Sequence, residues 1–259
     1  MFEIKKFGVC NLSVAPVRLK ASDSSEIVTQ LLFGDLVEIL EKGQPWIKVK
    51  FIADAYEGWM DFKQLTYLEE NEFQTLSSSP QHYLSNRLAF INGPRGKQEI
   101  MLGSVLHNYK NNQLNFGNES YSFLTDPTKT ITKSVLETAF NYLNTPYLWG
   151  GKSVFGIDCS GLIQTIFKVH QIQLPRDASK QVSFGKSIAF SDRQIGDVPF
   201  FINANGIVHH VGILTEKDEI MHAAGCVRID SFTEKGIFRK DFNAYTHHYH
   251  SIKRFSVTD

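Results

Sequence analysis

Apolar and polar positions alternate in short runs over the first 70 residues, the pattern of half-buried strands. Residues 14–18 form one such run, followed by the polar turn Ser22-Asp23-Ser24-Ser25. Residues 27–33, 36–40, 46–51 and 56–60 continue the series, broken by Gly34-Asp35 and Gly43-Gln44-Pro45. Short strands at near-regular spacing predict a small barrel. Residues 71–127 repeat the style less regularly, with strands expected at 88–93, 99–104 and 113–116 and a boundary at Ser77-Ser78-Ser79-Pro80. A second, degenerate barrel is expected there.

The period changes at Asp126-Pro127. Val135, Leu136 and Ala139 take helical spacing, and Ser134 with Glu137 matches a capping box, with Thr130 or Thr132 as alternative caps. A loop over residues 144–157 holds Trp149-Gly150-Gly151. A second helix is predicted after Asp158, with Leu162, Ile163, Ile166 and Phe167 on its apolar stripe. Strands follow near 198–202, 208–214 and 219–223. Helices first and strands after predict an α+β domain. The expected organisation is therefore multidomain, with barrels at 1–70 and 71–127 and an α+β domain at 128–259.

Lys plus Arg and Asp plus Glu each total 27, so no bulk electrostatic partner such as nucleic acid is expected. No apolar run reaches the roughly 18 residues of a membrane span. Met1-Phe2-Glu3-Ile4-Lys5-Lys6 has no apolar segment behind it and does not look like a secretory signal. Cys10, Cys159 and Cys226 are too few and too widely spaced for a disulfide framework. A reducing, cytoplasmic setting is expected, or a periplasmic or secreted one if a signal has been removed.

Cys159 is the candidate nucleophile. Asp158 is a good N-cap, which puts Cys159 in the first helical turn, where unpaired amides and the helix dipole favour a thiolate. Ser160 and Gly161 are small enough for a substrate carbonyl to approach, and the Cys159 amide points where an oxyanion would form. His209 and His210 face opposite sides of a strand, so one of them meets the thiol. A hairpin placing His210 opposite His222 would pair Ile213 with Glu219 and leave a loop over residues 214–218. The spacing of these histidines opposes a zinc site, and no metal or other cofactor is expected. His247-His248-Tyr249-His250 reads as a solvated strand or tail.

Asp158-Cys159-Ser160-Gly161, His210-Val211-Gly212 and His222 resemble the NlpC-type cell-wall cysteine peptidases, a papain-like branch. Tyr147-Leu148-Trp149-Gly150-Gly151 and Leu174-Pro175-Arg176-Asp177-Ala178 match as well. So does Ile195-Gly196-Asp197-Val198-Pro199-Phe200-Phe201, except that Pro199 stands where that family has an aliphatic residue. With SH3-like barrels in front, the chain looks like the γ-D-glutamyl-diamino-acid endopeptidases. The resemblance implies hydrolysis of the γ-D-glutamyl–diamino acid bond in peptidoglycan stem peptides bearing a free N-terminal L-alanine. It implies Cys159 as nucleophile, His210 as base, His222 as the residue orienting the imidazole, and Tyr147 as an oxyanion donor. It further implies that Asp177, helped by Asp158 and Ser160, holds the substrate ammonium. Glu26, Tyr56 and Trp149 are the remaining candidate substrate contacts. Burying an ammonium without a carboxylate is costly, so acidic residues suit that task. The expected partner is a stem peptide, L-Ala-γ-D-Glu-diamino acid, acted on by a monomer. An inactive wall-peptide-binding module, or an amidase or acyltransferase on another amide, are the alternatives.

Overall fold

The computed structural model of the chain describes residues 4–125 and 134–256. The texture change at Asp126-Pro127 and the alternative caps Thr130 and Thr132 lie outside the described residues. The chain divides into two compact units, Met1–Thr132 with Trp149–Val154, and Lys133–Leu148 with Phe155–Asp259.

The first unit begins with seven short strands: β1 (Phe7–Val9), β2 (Val14–Arg18), β3 (Ile27–Leu32), β4 (Leu36–Glu41), β5 (Trp46–Phe51), β6 (Glu57–Asp61) and β7 (Thr66–Leu68). They form one sheet in the order β3-β2-β6-β5-β4-β1-β7. Alternate residues point inward, so Ala15, Val17, Ile39, Ile47, Val49 and Met60 make a core. Ser77 and Ser78, read above as part of a boundary, end helix α1 (Glu70–Ser78). Strands β8 (Leu88–Gly93), β9 (Gly96–Met101), β10 (Gln113–Phe116) and β11 (Glu119–Phe123) form a second sheet, ordered β10-β11-β8-β9. Its core is shared with the first sheet: Phe7, Val9, Phe33 and Leu68 pack with Ile91, Leu114 and Phe116.

The second unit opens with α2 (Val135–Phe140), whose N-cap is Ser134 in a complete capping box with Glu137. Chain order then gives β12 (Lys152–Ser153), which belongs to the first unit, and β13 (Gly156–Ile157). Helix α3 (Cys159–Val169) is buried on every side from Cys159 to Lys168, beyond the single stripe its sequence shows. Short α4 (Ala178–Gln181) follows. Strands β14 (Lys186–Ile188), β15 (Val198–Ile202), β16 (Val208–Glu216), β17 (Glu219–Ala224), β18 (Cys226–Thr233), β19 (Gly236–Arg239) and β20 (Ala244–Arg254) form an antiparallel sheet ordered β14-β20-β15-β16-β17-β18-β19. A further pairing of β19 with β20 closes the sheet on itself around Phe201, Leu214, Ile220, Phe232 and Ile237. Helix α3 packs against β16 and β17, which sets the start of the helix beside the strands carrying the two histidines. No described helix is long and apolar enough to cross a membrane.

Candidate active site

Asp158 caps α3 as its sequence predicts: its backbone is extended and its side chain accepts the Gly161 N–H at 2.7 Å. Cys159 is thus the first helical residue. Its thiol is buried and directs its weak donor to the His209 carbonyl at 3.9 Å. Burial pushes the thiol up to about 12, and the nearby Asp158 carboxylate adds to this. The Val211 amide, Arg176 and the Ser160 amide oppose it without prevailing. The expectation of a resting thiolate is therefore corrected. The helix-terminal amides do favour the anion, but loss of water outweighs them.

Strand alternation leaves His209 exposed and buries His210. Nε2 of His210 lies 2.8 Å from Nδ1 of His222, and Nε2 of His222 lies 3.0 Å from Oδ2 of Asp230. The predicted hairpin register is wrong by two residues: His222 stands opposite Gly212, with Ile213 facing Met221. Strands β16 and β17 are joined by the short turn Lys217-Asp218, and a bulge between Leu214 and Glu216 absorbs the extra residue. His210 and Gly212 share a face, so the histidines meet diagonally rather than directly.

Burial pushes His210 well down, and the neighbouring imidazoles His247, His222 and His209 push the same way. The resting pair is therefore a neutral thiol and a neutral imidazole. His247, read above as part of a solvated strand or tail, lies on β20 and stacks on the His210 ring at 4.0 Å between centroids and 24° between planes. Its neighbours His248 and His250 are exposed. The ring nitrogens of His210, His222 and His247 lie within 4.8 Å of one another, a grouping that sequence spacing concealed because β20 is distant in the chain. Among these rings the His210–His222 contact is a hydrogen bond, and His247 lies face to face with His210.

Two further residues were missed. Asp230 accepts from His222 and is clasped by Arg228, whose Nη2 donates to Oδ1 at 2.9 Å. The alternation Arg228-Ile229-Asp230, on the strand after His222, was the available signal. Arg176 is the second. Its guanidinium donates to Asp158 through Nη1 at 2.9 Å and Nη2 at 2.5 Å, and to Ser160 Oγ at 2.9 Å.

Residues 144–246 match the NlpC/P60 family, and residues 17–65 match the bacterial dipeptidyl-peptidase Sh3 domain. Over 229 residues the chain is 31% identical to the γ-D-glutamyl-L-lysine dipeptidyl-peptidase of Bacillus subtilis (strain 168), spanning 80% of this chain and 75% of that protein. The chain belongs to the NlpC/P60 family. It is a cysteine peptidase with an N-terminal SH3-like all-β region and a C-terminal NlpC/P60 domain. The namesake of the same activity in Bacillus cereus (strain ATCC 10987 / NRS 248) is 29% identical over 240 residues, 80% of this chain and 70% of that protein. A solved NlpC/P60 family protein from Bacillus cereus ATCC 10987 shares the fold, with TM-score 0.76 at 23% identity over 96% of this chain and 99% of that one.

The other candidate residues of this NlpC/P60 chain divide between the units. Tyr147 is half-buried and tied to Gly225 through its backbone amide at 2.9 Å. Burial, then the charges of Cys159 and Asp158, push its hydroxyl up to about 12, so it keeps its proton and remains a donor. Asp158 and Ser160 both hydrogen-bond Arg176, and Asp158 forms a buried ion pair with it next to Cys159 in sequence. Asp177 stands before α4 and is partly exposed, 3.5 Å from Lys180. In the first unit, Glu26 accepts the indole N–H of exposed Trp149 at 2.5 Å. Gly150 follows at φ +76°, where a Cβ would lie 2.2 Å from the Ile27 carbonyl oxygen. The close seat of this segment on β3 thus requires glycine. Tyr56 packs against the first core.

Proposed function

We propose that the chain hydrolyses the γ-D-glutamyl–diamino acid bond of L-Ala-γ-D-Glu-diamino acid peptides with a free amine. The observation that carries this reading is the hydrogen-bonded set His210–His222–Asp230 on the strands flanking Cys159 at the mouth of α3. The names of the Bacillus relatives support the substrate. The finer architecture is read as two SH3-like barrels and an α+β papain-like catalytic domain.

The reaction starts from the neutral pair. His210 takes the Sγ proton as the sulfur attacks the γ-glutamyl carbonyl, so charge appears only as the bond forms. The oxyanion rests on the Cys159 amide, which helix geometry leaves without an intrahelical partner, and on the Tyr147 hydroxyl. Protonated His210 then gives its proton to the departing amine of the diamino acid. Water, losing a proton to His210, attacks the thioester and releases L-Ala-γ-D-Glu. Asp177 is the carboxylate assigned to the substrate ammonium. The amine of the N-terminal L-alanine is free only once the stem peptide has been cut from the sugar, so released stem-peptide fragments rather than intact wall are the substrate.

The test compares the free tripeptide with its N-acetylated form. Release of the diamino acid from the free peptide, with kcat/KM lower by about 10⁴-fold or more for the blocked one, is expected of a site whose carboxylate is left unpaired. Equal rates would overturn the ammonium requirement, and no cleavage of either would overturn the substrate.

A further inference from the structure

We propose that Asp230 is a positioning residue that fixes the direction of the protons along the imidazole pair, so that Nδ1 of His210 is the atom that receives the Cys159 proton. The inference rests on the peptidase reading above.

The proton order is set first at Asp230. Its carboxylate is buried and grips Arg228 through both oxygens, with Nη2 at 2.9 Å from Oδ1 and Nε at 2.7 Å from Oδ2. Arg228 and Arg239 in turn hold Asp241, which anchors the cluster at its outer end. Burial works against the Asp230 anion, yet the hydrogen bonds from His222 and Arg228 hold its carboxyl below the ordinary range. Asp230 therefore has no proton to give, and across the 3.0 Å contact Nε2 of His222 must be the donor.

His222 is fully buried, and burial pushes its pKa down against the pull of Asp230. A neutral imidazole carries a single proton. With that proton on Nε2, the Nδ1 of His222 is an acceptor. The 2.8 Å contact to His210 then requires Nε2 of His210 to donate. A neutral His210 with its proton on Nε2 is basic only at Nδ1. The proton direction at the reacting ring is thus decided two hydrogen bonds away, and reversing any link would put a proton on the atom that must accept one. The same chain serves after proton transfer: imidazolium His210 keeps its Nε2–H on His222, and the Asp230 charge lies beyond it.

Two measurements test this. In the full chain labelled with ¹⁵N at histidine, two-bond ¹⁵N–¹H spectra above pH 7, assigned with His210→Gln and His222→Gln, should show both rings protonated at Nε2. A His210 ring protonated at Nδ1 would overturn the proposal. This readout needs no substrate and no Asp230 variant, so a contrary tautomer overturns the proposal even if Asp230→Ala fails to fold. In turnover of the free tripeptide, Asp230→Ala should lower kcat about ten- to hundredfold, the range for outer partners that orient an imidazole, with KM within about twofold of wild type. On a His222→Gln background, which has no ring proton to direct, the same change should move kcat by less than about twofold. Full kcat in Asp230→Ala, or an undiminished loss on the His222→Gln background, would overturn it. Absence of tripeptide turnover by the wild type would sink the peptidase reading and leave the spectroscopic result standing by itself.

Discussion

Replacing Arg176 by methionine should unfold the second unit far more easily than a surface change would. The guanidinium and the Asp158 carboxylate are both buried, their side chains 2% and 8% exposed. Three hydrogen bonds link Arg176 to Asp158 and Ser160. Methionine keeps most of the apolar stem but removes the charge that pairs with the buried carboxylate, which still accepts the Gly161 N–H and the Ser160 hydroxyl. Breaking a buried pair from one side costs about 3–5 kcal/mol. The second unit lies between the sizes for which 1 kcal/mol shifts Tm by about 4–8 °C and about 2–4 °C, so at roughly 3–6 °C per kcal/mol the fall in Tm is on the order of 9–30 °C. Trp46, Trp59 and Trp149 all belong to the first unit, so tryptophan fluorescence is the wrong probe. Hydrogen exchange of peptides from α3 reads the right region. Adding Asp158→Asn to Arg176→Met removes the buried charge and should recover more than half of the loss. The thiol should follow the same order. Asp158 raises it and Arg176 lowers it, so iodoacetamide should label Cys159 more slowly in Arg176→Met than in wild type and faster again in the double variant. A loss below about 1 kcal/mol in Arg176→Met, or no recovery in the double variant, would refute the reasoning.

Other perturbations read other parts of the site. Tyr147→Phe removes an oxyanion donor and should lower kcat about 10²-fold with KM little changed; a variant altered only in KM would move Tyr147 to substrate binding. The pH dependence of stability has a definite sign. Burial holds His210 and His222 below 6.5, and His247 down to about 3, so the native state binds fewer protons than the unfolded chain across that window. Stability is complete above 6.5 and drains as pH falls below it. Urea midpoints for the second unit should therefore drop between about pH 7.5 and pH 5, and a flat or rising profile would contradict the buried neutral imidazoles.

Local features of the fold were readable from the sequence. Asp158 as N-cap, the Ser134–Glu137 capping box and the burial of His210 beside exposed His209 all depend on residues within a turn or a pleat of one another. What escaped was set by distance along the chain. Strand β20 closes the sheet onto β19 and brings His247 onto His210, and no periodicity in residues 244–254 announces this. Arg176 reaches back to Asp158 from the far side of α3. The hairpin register failed because a bulge at Thr215 changes the residue count without changing the hydrophobic pattern. The thiol was misjudged for the same reason: the helix dipole is visible in the sequence, and the desolvation that overrides it is not.

The account turns on Cys159 forming a thioester with the γ-glutamyl carbonyl. Acid-quenched samples of wild type and Cys159→Ala mixed with free L-Ala-γ-D-Glu-diamino acid, followed by intact mass and by diamino acid release, test it directly. The wild type should release diamino acid and carry the dipeptidyl acyl group on Cys159, and Cys159→Ala should do neither while remaining folded. Continued release of diamino acid by Cys159→Ala would contradict the account.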